Sequence, residues 1–353
     1  MTNLRSDNNY GLIPEARAGF LAAADGDAVA YGDDAYTERA VQAIKALFGR
    51  ETAVFFVATG TAANTLAIAS LTEPWQRVLC HSHSHWADDE STAPERFTLC
   101  RTVGVSPSAD PTRLRPSDLA TVIHPGRDVH SPAPGVITLS NPTEFGTVYS
   151  PADVAAIVRF ARDHGYRVHV DGARFANAVA HTTAITGQGV TAAARALTVD
   201  AGVDALSLGG TKAGLAFGEA ILLFPQSSTD AAHAATRLPY LRKSTGHLLS
   251  KHRFVAAQFA HSLEMDAWVR HAAHANAQAA RLAAGLTARD VRSLFPREAN
   301  AVFADLSPAL DRHLRARGHS YYPFITPVGP SSRLMCSFAT TDAQVDAFLA
   351  DLI

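Results

Sequence analysis

Lys212 stands in a glycine-rich turn, Gly209-Gly210-Thr211-Lys212-Ala213-Gly214, with apolar residues on both sides across positions 206–224 and a lone acid at Glu219. A lysine walled by Leu215, Ala216 and Phe217 is costly to bury as a cation, so free amine becomes available for a Schiff base with a carbonyl. A snorkelling surface lysine beside a tight turn is the alternative. A second group, Asp171-Gly172-Ala173-Arg174, follows the apolar run 166–170. A carboxylate at the end of a strand can hold a ring nitrogen in its protonated form. Arg174 can clamp a carboxylate through two parallel hydrogen bonds. A structural Asp171–Arg174 pair capping the next helix would use the same residues. The third group is Thr59-Gly60-Thr61-Ala62-Ala63-Asn64, after the apolar run 52–58. Its free amides, threonine hydroxyls and helix dipole suit a phosphate, although it is neither a P-loop nor GxGxxG.

Histidines form the remaining candidates. His81, His83 and His85 alternate, so in one strand they would share a face. A metal site would need further ligands, for which only Asp88, Asp89 or Glu90 lie close in sequence. No metal is expected. One imidazole stacked on a flat cofactor is the preferred use, by His85, with His81 and His83 left to packing or surface. His130 lies in a proline-rich loop, where a histidine is commonly just solvated. Together, a phosphate cradle, a carboxylate for a pyridine nitrogen and a buried lysine are the three contacts that pyridoxal phosphate requires. Their conjunction is more specific than any one of them.

The elements that must position these residues alternate between strand and helix. Buried strands are expected at 52–58, 136–139 and 166–170, with two short ones flanking the Lys212 turn. Val41, Ile44, Leu47 and Phe48 mark one helix. Ser150-Pro151-Ala152-Asp153 starts another, with Val154, Ile157, Val158 and Ala161 as its buried stripe and Gly165 as its end. Residues 254–286 read as alanine-rich helix, 302–306 and 334–338 as strands, and Thr341 to Gln344 as a capping box. The chain divides accordingly into an N-terminal arm and large domain, 1–250, and a small C-terminal domain, 251–353.

The 353 residues carry a formal net charge of −2, which argues against a nucleic-acid partner or an anionic membrane surface. No apolar run approaches the roughly 20 residues of a membrane span, and the first residues lack the apolar core of a signal peptide. Three scattered cysteines form no CxxC pair, so a reducing cytoplasm is the expected location.

These blocks resemble the low-specificity L-threonine aldolases, in the β-eliminating lyase group of fold-type I pyridoxal-phosphate enzymes. The resemblance runs from Ser6-Asp7-Asn8 and Tyr31-Gly32-Asp33-Asp34 through the groups above, with His85 and Glu90, and His169 to Asn177 as its most specific block. It continues through Gly218-Glu219-Ala220-Ile221, Glu298-Ala299-Asn300 and Arg333-Leu334-Met335. It implies an α/β fold of aspartate aminotransferase-like type: a large domain with a mixed, mostly parallel sheet, and a smaller α+β domain. It implies cleavage of threonine or allo-threonine, and of related β-hydroxy-α-amino acids such as phenylserine, to glycine and an aldehyde. Another fold-type I activity, an aminotransferase or racemase, is the alternative, and a non-catalytic nucleotide-binding protein a more distant one. Lys212 would carry the cofactor, Asp171 its ring nitrogen, Gly60 and Thr61 its phosphate, and His85 its ring face. Ser6, Arg174, Arg333 and Tyr31 would bind the substrate. His130 or His85 would be the base. A homo-oligomer, a dimer of dimers with active sites shared between subunits, is implied as well. Lys251 stands where many relatives bring an arginine to a neighbouring subunit's phosphate, in a segment that departs from their glycine-rich pattern.

Overall fold

Apolar β-branched runs separated by helices build a seven-stranded sheet in the computed structural model, which describes residues 2–123 and 128–352. Arg127, at the start of the proline-rich loop, lies outside the described residues. The strands are β1 (Ala53–Val57), β2 (Gln76–His81), β3 (Arg101–Val105), β4 (Ala133–Ser140), β5 (Arg167–Gly172), β6 (Ala205–Leu208) and β7 (Glu219–Leu223), in the order β1-β7-β6-β5-β4-β2-β3. β7 is antiparallel to both neighbours, and every other pairing is parallel. That single reversal has a consequence for the site. Glu219 at the start of β7 lies opposite Val57 at the end of β1, and Ala220 opposite Leu208 at the end of β6. Ser140 at the end of β4 pairs with Asp171 near the end of β5. One edge of the sheet therefore collects the turns that follow β1, β4, β5 and β6, where open α/β sheets bind ligands.

The turn after β6 fits only because it is glycine. A Cβ on Gly209 would come within 2.2 Å of the Ala173 carbonyl oxygen, and one on Gly210 within 2.3 Å of that of Gly218. The chain is thus drawn tight against the Asp171 turn before it reaches Lys212. The helix Pro151–Asp163 has the anticipated Ser150–Asp153 capping box, buries Val154, Ile157, Val158 and Ala161, and is followed by Gly165 at φ +74°. The alanine-rich stretch is not one helix. Met265 and Asp266 take positive φ, which separates Arg253–Leu263 from Ala267–Thr287.

The small domain carries an antiparallel sheet of β8 (Ala301–Ala304), β10 (Gly329–Met335) and β9 (Tyr322–Thr326), in that order. The seam between the two cores does not fall at residue 250. Val255, Ala256 and Phe259 of the helix Arg253–Leu263 belong to the large core, as does Trp268. Leu282 and Leu286, further along the helix Ala267–Thr287, belong to the small one. The helix therefore spans the seam. The N-terminal arm crosses too: Leu4 packs in the small core, donates its amide to Ser320 and accepts from the Met335 amide. Among the described residues, no helix is long and apolar enough to cross a membrane.

Replacing Gly209 by Ala should lower stability by about 1–3 kcal/mol, the usual cost of forcing an atom into packed space. Gly189→Ala, where a Cβ meets nothing within 4 Å, should change it by no more than about 0.5 kcal/mol. Denaturant unfolding followed by circular dichroism compares the two; equal losses would show that the Gly209 contact relaxes freely.

Candidate active site

Lys212 sits in a short 3₁₀ turn, Thr211–Ala213, between β6 and β7. It opens onto two adjoining spaces. The outer one, about 250 Å³, is lined by Ser6, Asn8, Asn9, His85, Asp89, Glu144, Arg174, Lys212, Tyr322 and Arg333. The inner one is bordered by Ser140, Pro142, Ala173 and Asp171 and shares His85, Glu144, Arg174 and Lys212 with it. A lysine, two arginines, an imidazole and a buried aspartate therefore meet in one place, although they come from separate stretches of chain.

Asp171 is buried with both oxygens engaged. Oδ1 accepts from the Ala173 amide at 2.9 Å, and Oδ2 accepts from Asn64 Nδ2 at 2.8 Å. Burial would raise its pKa, but the His85 and Lys212 charges and the Ala173 amide outweigh this and hold the carboxyl below its ordinary value. Asn64 also donates to Glu90 Oε1 at 2.9 Å, and Glu90 Oε1 faces His85 Nδ1 at 2.8 Å. Since an ionised Glu90 only accepts, His85 carries its proton on Nδ1, which leaves the Nε2 lone pair free. Burial lowers the His85 pKa, yet the hydrogen bond to Glu90 and the charges of Asp171, Glu90 and Glu144 raise it overall. Glu144 Oε1 accepts from the His85 amide at 3.1 Å and from Ser140 Oγ at 3.2 Å, which fixes the loop after β4 against the imidazole.

The helix Gly60–Leu71 begins at this same edge, capped by Thr59, whose Oγ1 accepts from the Ala62 amide at 3.2 Å. The cap occupies one of the orphan amides and leaves those of Gly60 and Thr61 for an anion. Asn64 lies one turn further on, so the face of the helix that offers the amides also reaches Asp171.

Arg174 is paired, but not with Asp171. Its Nε and Nη2 donate to Asp7 Oδ2 and Oδ1 at 2.7 and 3.0 Å. Burial pushes the Asp7 carboxyl up, but the Arg174 guanidinium beside it wins and holds it low. Neither expected use of Arg174 is complete: it stands at the N-cap of the next helix but its side chain makes no cap hydrogen bond there, and two of its nitrogens are already bound. Its Nη1 remains for a ligand. Arg333 has more to offer. Its Nε is buried with no hydrogen-bond partner, and its guanidinium lies over the rings of Tyr322 and Phe324 at 5.6 and 5.2 Å. An orphaned donor at the cavity wall fits a carboxylate that is not part of the chain.

Other expected residues lie elsewhere in the subunit. His130 is a correction: its side chain is 90% exposed, near Asp128, three residues before β4 begins. Since β4 has eight residues and ends at the site, His130 is about 25 Å away at the other edge of the sheet. Among the described residues, the imidazole that lines these spaces is His85. Tyr31 and Lys251 also lie outside the lining of both spaces. Tyr31 donates its amide to Ser250 and holds Lys243 Nζ 4.8 Å from its ring, and Lys251 is exposed beside it. The alternating histidines do not share a strand face. β2 ends at His81, and Ser84 caps a new helical turn that begins at His85. His81 bonds the Pro111 carbonyl, and His83 stands 3.7 Å from Asp88. His85 Nδ1 or Nε2, a Glu90 oxygen and an Asp171 oxygen lie within 4.8 Å of one another. Asn64 bridges those carboxylates, and Asp171 borders the inner space into which Lys212 opens.

Glu144 and Tyr322 join the site without having been given a role in it from sequence, whereas Asp7 and Asn64, which lie in blocks named above, take specific partners there in Arg174 and Asp171. The i to i+4 spacing from Gly60 is a usable signal for Asn64. Tyr322 carries none; it reaches the cavity because the β9–β10 register sets it opposite Arg333.

Comparison with known proteins agrees with this geometry. The family model described as beta-eliminating lyase matches residues 3–309. A low specificity L-threonine aldolase of Pseudomonas sp. is 41% identical over 98% of this chain and 96% of its own. That of Pseudomonas aeruginosa is 40% identical over the same shares. The solved threonine aldolase of Leishmania major superposes with a TM-score of 0.89 at 26% identity, covering 100% of this chain and 98% of that one. A Thermus thermophilus aspartate aminotransferase, at 17% identity and a TM-score of 0.66, shares the fold. The chain therefore has the α/β fold of fold-type I enzymes and belongs to the beta-eliminating lyase family.

Proposed function

We propose that the protein cleaves L-threonine, L-allo-threonine and related β-hydroxy-α-amino acids to glycine and an aldehyde, with pyridoxal phosphate as cofactor. The observation that carries this is the single cavity lined together by Lys212, His85, Arg174, Arg333 and Ser6. The residues fit the cofactor on their own chemistry. Lys212 offers an amine for attachment, the Gly60 and Thr61 amides a cradle for phosphate, and Asp171 a buried anion for a ring N–H. When bound, the cofactor supplies a sink for the electron pair released as the Cα–Cβ bond breaks.

The chain's own residues do the rest. Arg333, through its unpartnered Nε, and Arg174, through Nη1, hold the substrate carboxylate with Ser6 beside them. Fixing the carboxylate fixes rotation about Cα and so decides which bond is aligned to break. His85 Nε2 accepts the β-hydroxyl proton, directly or through water, and Glu90 stabilises the imidazolium that forms. Asp171 keeps its ring contact ionic throughout, since the cations around it favour the carboxylate. Tyr31 and Lys251, outside their own cavity, are read as reaching the site of a second copy in a homo-oligomer of paired dimers. The protein is read as cytoplasmic.

Purified protein supplied with pyridoxal phosphate should absorb visible light and release glycine and acetaldehyde from L-threonine. Lys212→Ala should lose both the absorbance and turnover; a fully active variant would refute the assignment. His85→Ala should cost a hundredfold or more in kcat, in the range of a lost general base. His85 works as a base only when neutral, so activity falls as pH drops through its raised pKa. Glu90→Gln removes what raises it, and the acid limb of kcat/KM should move to lower pH. An unmoved limb would assign the proton to another group. Arg333→Ala should raise KM about 10- to 100-fold, the worth of a charge-assisted hydrogen bond of about 1.5–3 kcal/mol, with a smaller effect on kcat. An unchanged KM would place the carboxylate elsewhere.

A further inference from the structure

Glu219 is the buried acid that the site described above leaves without a task. It starts β7, 6% exposed, and its Oε2 accepts from the Gly210 amide at 2.5 Å. Gly210 is the residue from which the Lys212 turn departs. The contact is enforced by packing: a Cβ on Gly210 would strike the Gly218 carbonyl oxygen at 2.3 Å, and one on Gly218 would strike Val255 at 2.6 Å. The two ends of the Lys212 loop are thus pressed together, and Glu219 closes the gap with a hydrogen bond.

Little else in the surroundings can balance a charge there. β1 places Val57 opposite Glu219, and β6 places Leu208 opposite the next residue, Ala220. The helix Arg253–Leu263 brings Val255 and Phe259 against the adjoining glycines, and its Gln258 is spent on the Ala216 amide. Thr211, through its side chain and amide, and the Lys212 cation are the polar groups that reach the carboxyl besides Gly210. A buried carboxylate needs a cation or several donors to remain ionised. Lys212, two residues beyond Gly210 in the same turn, is the cation whose charge acts on it.

We propose that Glu219 is a positioning residue for Lys212: its carboxyl anchors the lysine's turn through the Gly210 amide and supplies the negative charge that faces the lysine nitrogen. The role rests on the reading of Lys212 as the point of cofactor attachment. Burial pushes the Glu219 carboxyl up to about 7, against the opposing pull of Gly210, Thr211 and Lys212. Its charge therefore depends on the donors and the cation beside it. Asp171, held low, is a permanent anion by contrast.

The test is a pH titration of the visible absorbance of the protein loaded with pyridoxal phosphate, in the wild type and in Glu219→Gln. The glutamine keeps an oxygen for the Gly210 amide but removes the charge. Its midpoint should fall by about one pH unit, a tenfold loss of proton affinity at the lysine nitrogen. Glu219→Ala loses the anchor as well and should in addition need several-fold more pyridoxal phosphate to saturate the absorbance. A Gln midpoint equal to that of the wild type would overturn the proposal while leaving the cofactor assignment intact. A wild type that pyridoxal phosphate cannot colour would overturn both. Should the Gln variant not fold, infrared spectra of wild-type protein carrying ¹³C-labelled glutamate decide. A buried carboxyl band that titrates together with the visible absorbance supports the role, and one that does not overturns it.

Discussion

Asp171 keeps a negative charge in the interior, and the arrangement around it follows from that constraint. A buried carboxylate is stable only if its lone pairs are met and a cation stands near. The Ala173 amide and Asn64 meet the lone pairs, while Lys212, and His85 when protonated, supply positive charge. These groups come from different stretches of chain: the turn after β5, the second turn of the helix Gly60–Leu71, the helical turn at His85 and the turn after β6. They converge because the strands that precede them, β1, β2, β5 and β6, run the same way and end at one edge of the sheet, where the antiparallel β7 begins. Topology and electrostatics thus specify one location. Were β7 parallel, Glu219 and the turn after β6 would lie at opposite edges, and Lys212 would lose its neighbour.

A second constraint ties the two domains to the same point. Residues 2–5 lie on the small sheet, with Leu4 in its core, and the chain then passes directly to Ser6 and Asp7 at the cavity. Asp7 holds Arg174 of the large domain and accepts a further hydrogen bond from Asn300 at the edge of the small one. Breaking a buried ion pair by removing one partner costs about 3–5 kcal/mol. Asp7 therefore fixes Arg174 firmly before any substrate arrives, while Arg333 keeps a free donor. The two arginines divide the work. One is prearranged by Asp7, and the other keeps its Nε unpaired.

Much of this is legible in sequence where the signal is local. The Lys212 turn stands out because glycines crowded around a lysine between two apolar runs imply a backbone drawn close to something, and the packing of Gly209 against Ala173 is that contact. The capping boxes at Ser150 and Thr341 form as expected, since such hydrogen bonds depend on three or four residues. What fails is non-local. The partner of Arg174 is 167 positions away, so spacing points to Asp171 instead of Asp7. The alternating histidines look like one strand face, but Ser84 turns the chain into a helix between the second and third. The alanine-rich stretch reads as continuous because alanine favours helix everywhere, and the break at Met265 and Asp266 has no propensity signal. His130 matches by position in the chain, and position alone does not say at which edge of the sheet a loop emerges.

The site also separates two kinds of acid by environment. Asp171 and Glu219 are both buried at the same edge, yet their pKa values are driven apart, one held low and the other pushed up to about 7. The difference lies in what surrounds them. Asp171 is met by the Ala173 amide, Asn64, the Lys212 charge and that of His85 when protonated, whereas Glu219 stands opposite Val57 beside glycines packed on Val255 and Phe259, and shares the lysine. Pairs of titratable groups pushed apart in this way mark a division of roles. A fixed anion suits a contact that must stay ionic from start to finish. A carboxyl near neutrality suits a neighbour whose own charge changes during the reaction. Under the function proposed above Lys212 is such a neighbour, since a lysine that forms and releases a Schiff base changes its charge. A permanent anion beside it would oppose the neutral state, and an apolar wall would oppose the charged one. Glu219 opposes neither.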